Sequence, residues 1–445
     1  MNRQGSRPEP STSELAQQIR LAIPLALQQL GFHLMGTVDA AWLGRYSDVA
    51  LAAAGVGNNL LFAITAIGLG IVMGLDTVIP QAIGAGRHED AQRYLAAGIR
   101  LAVVIGMIGT VVVLATPLLL SIAGVDRDVA HDARTYVYLR SLGIVPFLLS
   151  IALRSYLAAR NVTRPLVLAV IIGNIANAAL DVVLIFGIET IGLPPLGVVG
   201  AAIATVSVQI VIVVVYAAAV RALDEGAALP RSSRAQITEI VRYGGPVGGQ
   251  LFAEVAIFGV ATMMAARLGT VPGAAHSAAL TLVSFTFSVA VGIGAATSVR
   301  VGHAIGEGNI ALARRRGIYG LGIGLAVMSV FSIALITAPA ALARVFTDDA
   351  VVVVAIVPLL QIAALFQLSD GTQAIAAGAL RGIGQTRATL IGNLVGHYGV
   401  GLAISLALAF GAGLGAPGLW WGLSAGLTAT ALFLVARFLA STRVA

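Results

Sequence analysis

Five carboxylic acids of this chain stand inside long apolar stretches: Asp39, Asp76, Asp181, Glu254 and Asp370. A carboxylate at membrane depth is expensive, so each is a functional candidate by default. Asn174, Asn177 and Asp181 are spaced i, i+3, i+7, which puts them on one face of a helix. Lipid offers such groups no hydrogen-bonding partner. A carboxylate with two amide oxygens can hold a hard cation or share a proton, and the same trio can equally knit two helices together. Glu254 lies in the middle of a segment opened by Pro246, and Asp370 lies near Gln367 and Gln373. Burial disfavours the charged form of such an acid. It can then be held protonated, ionised beside a bound Na+, or paired with a cationic cargo. No arginine shares the depth of Glu254 and Asp370 in their segments, which argues against static ion pairs. Asp39 stands toward the outer end of the first segment, where the competing reading is an interfacial pair with Arg45. For Asp76, near the end of the second segment, a solvated or helix-capping role is expected.

The remaining polar groups say less. His397 can relay protons or serve as a hydrogen-bonded structural histidine, and His33 is similarly ambiguous. His88, His276 and His303 are read as lying near loops. Gln28, Gln250, Gln367 and Gln373 are candidates for lining a cavity or relaying protons. No two histidines have zinc-ligand spacing and Cys is 0, which argues against a metal enzyme and against thiol redox chemistry. All 27 basic residues are Arg, so no Lys is available for a phosphate-cradling loop. Transport driven by ATP hydrolysis within the chain is therefore not expected. An ion gradient must supply the work, with no cofactor and no metal other than Na+.

The elements that carry these groups follow from composition. Of 445 residues, 58% are apolar and 11% charged, with a mean hydropathy of +0.93. Soluble chains carry charge at about a quarter of positions. A soluble enzyme, a nucleic-acid binder and a disordered protein are excluded, and a polytopic helical membrane protein remains. A span needs about 20 apolar residues. Stretches of that length fall near 19–42, 50–76, 98–123, 136–158, 165–187 and 197–220, then near 244–268, 278–299, 317–340, 351–377, 388–411 and 418–439. The reading is an all-α protein of twelve transmembrane helices. Residues 1–18 lack the pattern of a cleaved signal peptide, so the first segment is expected to stay as a span. On alternate connections, counting the N-terminus with its Arg3 and Arg7 as the first, lie 21 of the 27 arginines, against six on the other side. That bias predicts cytoplasmic termini in a cell (inner or plasma) membrane. All the arginines are read as lying in loops.

An internal repeat divides the chain. Residues 81–86 (QAIGAG) return as 303–308 (HAIGEG), a shift of 222, which also carries Pro24 to Pro246 and Gln28 to Gln250. At a shift of 223, Thr163-Arg164 falls on Thr386-Arg387 and Asn174 on His397. The shift spans an even number of helices, so the halves enter the membrane in the same direction and are related by a pseudo-two-fold axis along its normal. Two six-helix lobes are expected, an N-lobe at 1–225 and a C-lobe at 244–445 joined by a linker at 226–243, with a cavity between them. Pro24 and Pro246 can permit helix bending, or simply start their helices.

These residues resemble the multidrug and toxic compound extrusion (MATE) transporters, in particular the NorM-like branch. The similarity runs over about residues 15–440. It rests on Pro24 to Gly44 with Val38-Asp39 and Trp42-Leu43-Gly44, on Gln81 to Gly86, on Glu254 within Pro246-Val-Gly-Gly-Gln-Leu-Phe-Ala-Glu, and on Asp370 to Gly384 with Gly378-Ala-Leu-Arg381-Gly382. The resemblance implies export of amphipathic organic cations and other drugs by antiport with Na+ or H+ through alternating access. It implies cation-binding roles for Glu254 and Asp370 and a role for Asp39. Asp181 with Asn174 and Asn177 looks like an N-lobe ion site of other branches, so this chain combines the acids of both patterns. Expected partners are small-molecule drugs, toxic organic cations and membrane lipid, with no nucleic acid, and the protein is read as a monomer. A lipid-linked oligosaccharide flippase of the same superfamily is the alternative, but it would want an arginine-lined cavity.

Overall fold

A computed structural model describes residues 13–116 and 126–443 of the chain. Arg3, Arg7 and the end of the third apolar segment, from residue 117, lie outside the described residues. Within them the chain is helical almost throughout, and the one β-type pairing is a single bridge between Ile188 and Leu193. Lipid dictates this outcome, because a spanning segment must satisfy its backbone hydrogen bonds internally.

The N-half forms α1 (Glu14–Tyr46), α2 (Asp48–Val72), α3 (Leu75–Gly84), α4 (His88–Leu114), α5 (Arg127–Ser141), α6 (Ile144–Ala159), α7 (Arg164–Phe186) and α8 (Val198–Leu223). The C-half forms α9 (Arg234–Arg267), α10 (Thr270–Gly306), α11 (Ile310–Thr337), α12 (Ala350–Gly382), α13 (Thr386–Gly411) and α14 (Gly415–Ser441). Asp48–Gly84 is one span of 37 residues, broken between α2 and α3. Counting α5 and α6, which meet at 44°, as a further span gives twelve. The helices outrun the apolar stretches that revealed them, because polar turns continue the helix beyond the lipid. α9 shows why. Ser233 and Gln236 form a capping box in which the Gln236 side chain accepts from Ser233 N at 2.7 Å. The expected linker 226–243 is therefore helical from Arg234 onward. Pro24 and Pro246 both lie inside their helices, well past the first turn, so neither is a helix-start proline.

The repeat is visible in the backbone. Gly86 and Gly308, 222 positions apart, end α3 and α10 with φ of 72° and 73°. In both turns the next residue's N–H returns to the carbonyl five positions back, Arg87 to Ala82 at 2.9 Å and Asn309 to Ala304 at 2.9 Å. The halves meet as a two-fold axis requires: α1 packs on α10, while the α2–α3 span packs on α9 and α10. The first span of each lobe thus meets the second span of the other.

The seam is tight toward the face that carries most of the arginines. A Cβ on Gly70 would lie 2.2 Å from the Gly248 backbone, so α2 and α9 touch there main chain to main chain. Gln18 donates to Thr297 Oγ1 at 3.1 Å, Thr77 to the Arg381 carbonyl at 2.9 Å, and Gln81 to the Gly382 carbonyl at 2.8 Å. Glu14 of α1 accepts from both Arg300 of α10 and Arg316 of α11, the latter through Nε at 2.9 Å. Tyr94 of α4 donates to Glu239 of α9 at 2.5 Å. Among the described residues, every hydrogen bond and ion pair between the lobes lies in this half of the seam. Farther along, the lobes touch through the rings of His33 and Phe285, 5.9 Å apart. Among the described residues, the lobes are bonded to each other at the arginine-rich face and not toward the arginine-poor one.

Gly70→Val cannot keep the approach to Gly248. Spin labels on cysteines placed at His88 and Ile310, in this naturally cysteine-free chain, should show a longer distance in that variant than in the parent. An unchanged distribution would contradict the seam described here.

Candidate functional site

The acids gather in two places, one in each lobe. In the C-lobe, Glu254 of α9 is met by three amides. Its Oε1 accepts from Gln250 at 3.2 Å, from Gln373 of α12 at 2.9 Å and from Asn393 of α13 at 2.6 Å. Asp370, buried on α12, lies close enough for its charge to act directly on that of Glu254. No described hydrogen bond reaches the Asp370 carboxyl or Glu254 Oε2. Gln373 also faces His397, whose Nε2 is 3.4 Å from Gln373 Oε1, while His397 Nδ1 is buried without a partner. Directly after Asn393, α13 widens into a π-helical stretch over Leu394–Leu402 that carries His397. Such local widening is frequent at functional sites.

In the N-lobe, Asp39 of α1 and Asp181 of α7 face each other within hydrogen-bonding reach. Thr205 of α8 donates to Asp39 Oδ2 at 2.7 Å. Neither oxygen of Asp181 receives a hydrogen bond, and neither polar atom of the Asn177 side chain has a partner, although both residues are 0% exposed. Two carboxyl groups bond to each other only if one carries a proton, so such a pair can share a proton or admit a cation. The Arg140 guanidinium is within electrostatic reach of Asp181.

The fold repeats but the acids do not. At the repeat offset, Asp39, Asp181, Glu254 and Asp370 fall on Ala261, Ala403 or Ile404, Phe32 and Leu148. Gln28 and Gln250 occupy equivalent positions with different partners, since Gln28 donates to Tyr216 at 3.0 Å and touches no acid. Gln367 bonds Thr286 and Met328 Sδ, tying α12 to α10 and α11 away from Glu254. Asn174 spends its amide N–H groups on the carbonyls of Gly31 (3.0 Å) and Val170 (2.8 Å).

Several expectations are corrected. Asp76 is neither solvated nor a cap. It is buried at the start of α3, with Arg154 at 2.9 Å and Ser155 Oγ at 2.6 Å. Asp39 is buried with Thr205, while Arg45 stacks over Trp42 at 5.0 Å. Arg154, Arg300, Arg316 and Arg381 are buried within helices rather than placed in loops. They can be so because they lie where the lobes close over one another and supply acids and carbonyls. His276 and His303 are also buried. His276 sits 3.2 Å from Thr262 Oγ1, and His303 Nε2 lies 2.9 Å from the Ala159 carbonyl, across the seam. Sequence reasoning missed Thr205 and Asn393. A threonine raises no flag because it can bond its own helix, as Thr205 does with Ala201 at 3.0 Å. Asn393 was detectable as an amide one turn before His397.

Comparison with known proteins agrees with this architecture. The MatE family profile matches residues 24–183 and 246–407, two stretches offset by the repeat. A probable multidrug resistance protein NorM of Deinococcus radiodurans is 36% identical, with 97% of each chain covered. One of Bradyrhizobium diazoefficiens is 35% identical, covering 96% of this chain and 93% of its own. Among solved structures, the outward-facing conformation of a multidrug resistance MATE family transporter of the MOP superfamily superposes with a TM-score of 0.86. It is 22% identical and covers 96% of this chain and 97% of its own.

Arg154→Gln should strand the buried Asp76 charge and cost about 3–5 kcal/mol, whereas Asp76→Asn combined with Arg154→Gln should recover most of that loss. Thermal unfolding of the detergent-solubilised variants checks this, and a double variant no more stable than the single would refute it.

Proposed function

The chain belongs to the MatE family of transporters, NorM-like branch, and on that premise we propose that it is a secondary active multidrug efflux carrier. It exports organic, often cationic, compounds in exchange for Na+ or H+. The observation that carries this reading is the pair of buried carboxyl sites, each with oxygens the protein leaves unsatisfied. A stable protein pairs its buried charges. One that leaves them short of partners at membrane depth does so for a positive passenger.

The two sites suit different passengers. Asp39 and Asp181 have one hydroxyl donor between them and face each other, which fits a shared proton. Glu254 and Asp370 stand among the amides of Gln250, Gln373 and Asn393. Rotating those amides turns oxygen toward the site, and hard cations take oxygen ligands. His397, whose Nε2 lies 3.4 Å from Gln373 Oε1, borders this cluster and is our candidate for a titratable neighbour of it.

Transport follows from exchange of the passengers. The charge bias supports a cytoplasmic arginine-rich face, and bonding of the lobes at that face fits an outward-open state in the plasma (inner) membrane with both termini in the cytoplasm. Ion or proton entry from outside displaces cargo from the carboxylates. The lobes, 1–225 and 244–445, then rock about the fixed site. Contacts such as Glu14 with Arg300 and Arg316 must break for the inward-open state, and Pro24 and Pro246 give α1 and α9 points at which to bend. The buried arginines of the closed seam are engaged with acids or lie beside backbone contacts, so the site presents carboxylates to its cargo. That favours an organic cation over the pyrophosphate of a lipid-linked oligosaccharide.

Purified protein in proteoliposomes, given a fluorescent organic cation and a Na+ or pH gradient one at a time, tests the proposal. One gradient should drive accumulation. Glu254→Gln, Asp370→Asn or Asp181→Asn should lower it by about 5–150-fold, the range of ordinary coupling free energies. Full gradient-driven uptake in all three variants would overturn it.

A further inference from the structure

A second site lies away from these acids, at the arginine-rich face. The turn after α12, the start of α13 and the flanks of α9 and α14 border a surface pocket of about 260 Å³, lined by Arg242, Tyr243, Gln385, Thr386, Arg387 and Arg437 among others. The turn between α12 and α13 is held open by Gly384, whose φ of +78° suits glycine and whose Cα faces the Tyr243 ring. Gln385 Oε1 accepts from Arg437 Nε at 2.8 Å and from Ser441 Oγ at 3.0 Å, which fixes the guanidinium and leaves its terminal nitrogens available. The Arg242 guanidinium stands 5.9 Å from the Tyr243 ring centre.

No acid lines this cavity. Several other arginines of the same face are engaged with acids. Arg93 is paired with Glu89 and Asp90, Arg154 with Asp76, Arg160 with Asp224, and Arg300 and Arg316 with Glu14. Three arginines converge here with no carboxylate among them, beside the first backbone N–H groups of α13. A helix start of this kind favours an anion.

The repeat supplies a control within the molecule. The N-lobe turn has the same form: Asn161 takes φ of 56° where Gly384 takes 78°, Thr163-Arg164 matches Thr386-Arg387, and Arg20 matches Arg242. Yet the counterpart of Arg437 is Val214 or Val215, and Arg160 of that turn is neutralised by Asp224 at 3.4 Å. The repeat does not by itself place an arginine at the position of Arg437.

We propose that this pocket binds the phosphate of an anionic phospholipid. Its volume is below the roughly 300 Å³ from which drug-sized pockets begin, which suits a headgroup and not the cargo. Deeper along α13 and α14, Ile391, Leu394, Leu432 and Phe433 are exposed apolar side chains on which acyl chains can lie. A phosphate tethered to acyl chains meets both surfaces, whereas a free phosphate meets only the arginines. The bound lipid clasps α9, which carries Glu254, to α13 and α14, which close the C-lobe.

The test uses the full-length protein in detergent, with phosphatidylglycerol, phosphatidylcholine or inorganic phosphate added. Lipid retention is read by native mass spectrometry, and thermal unfolding is followed in parallel. Phosphatidylglycerol should be retained and should raise the melting temperature more than phosphatidylcholine. Joint replacement of Arg242, Arg387 and Arg437 by Gln should weaken its retention by roughly 100-fold, the product expected for three basic residues at a membrane surface. Arg437→Gln alone, at an exposed position, should weaken it by about 5-fold and serves if the triple variant does not fold. Arg164→Gln in the N-lobe turn should leave retention unchanged. Equal retention by the parent and the arginine variants would overturn the proposal. So would stabilisation by inorganic phosphate equal to that by phosphatidylglycerol, since it would assign the pocket to a free anion.

Discussion

The structure turns on a cost that lipid imposes: a carboxyl group at membrane depth must find a proton, a cation or a full set of donors. Glu254 finds three amide donors on one oxygen and none on the other. Asp181 finds only Asp39. Asp76, by contrast, is satisfied outright by Arg154 and Ser155. One protein thus holds buried acids of both kinds. The satisfied acid sits at the closed seam. The unsatisfied ones sit inside the lobes.

The duplicated fold supplies the frame for that arrangement without dictating it. Equivalent turns at Gly86 and Gly308, and the exchange of first and second spans across the seam, show that the backbone repeats closely. The chemistry was laid over it unevenly, since every acid of the two sites has an apolar counterpart in the other lobe. Two lobes that share a backbone but differ in titratable groups present different chemistry on one rotationally repeated frame. The seam contacts are mostly single hydrogen bonds and a few ion pairs at the rim. Each such hydrogen bond is individually worth about 1 kcal/mol.

Much of this was legible in the chain. Twelve spans could be read because lipid forces apolar length, and the parallel repeat because its short motifs share one offset. Asp181 and Glu254 stood out because an acid in an apolar run has few bland explanations. What escaped was pairing at long range. Arg154 lies 78 positions from Asp76, and no periodicity within either helix announces that they meet, so Asp76 read as a solvated end. Arginines counted as loop residues turned out to be buried where two lobes cover each other, a shielding that hydropathy along one segment does not register. The start of α9 was placed late for the same kind of reason. Its first turns are polar and lie beyond the lipid, where a capping box at Ser233 and Gln236, not apolarity, starts the helix.

The most direct measurement counts what leaves when cargo arrives. Purified protein in weakly buffered detergent solution is titrated with a fluorescent organic cation, while a pH indicator reports protons and preloaded ²²Na+ is followed by filtration. Bound cargo should expel protons or Na+ in proportion, and the release should vanish when Asp39, Asp181, Glu254 and Asp370 are all replaced by their amides. Saturable binding of the cation to the parent protein with neither ion released would contradict it.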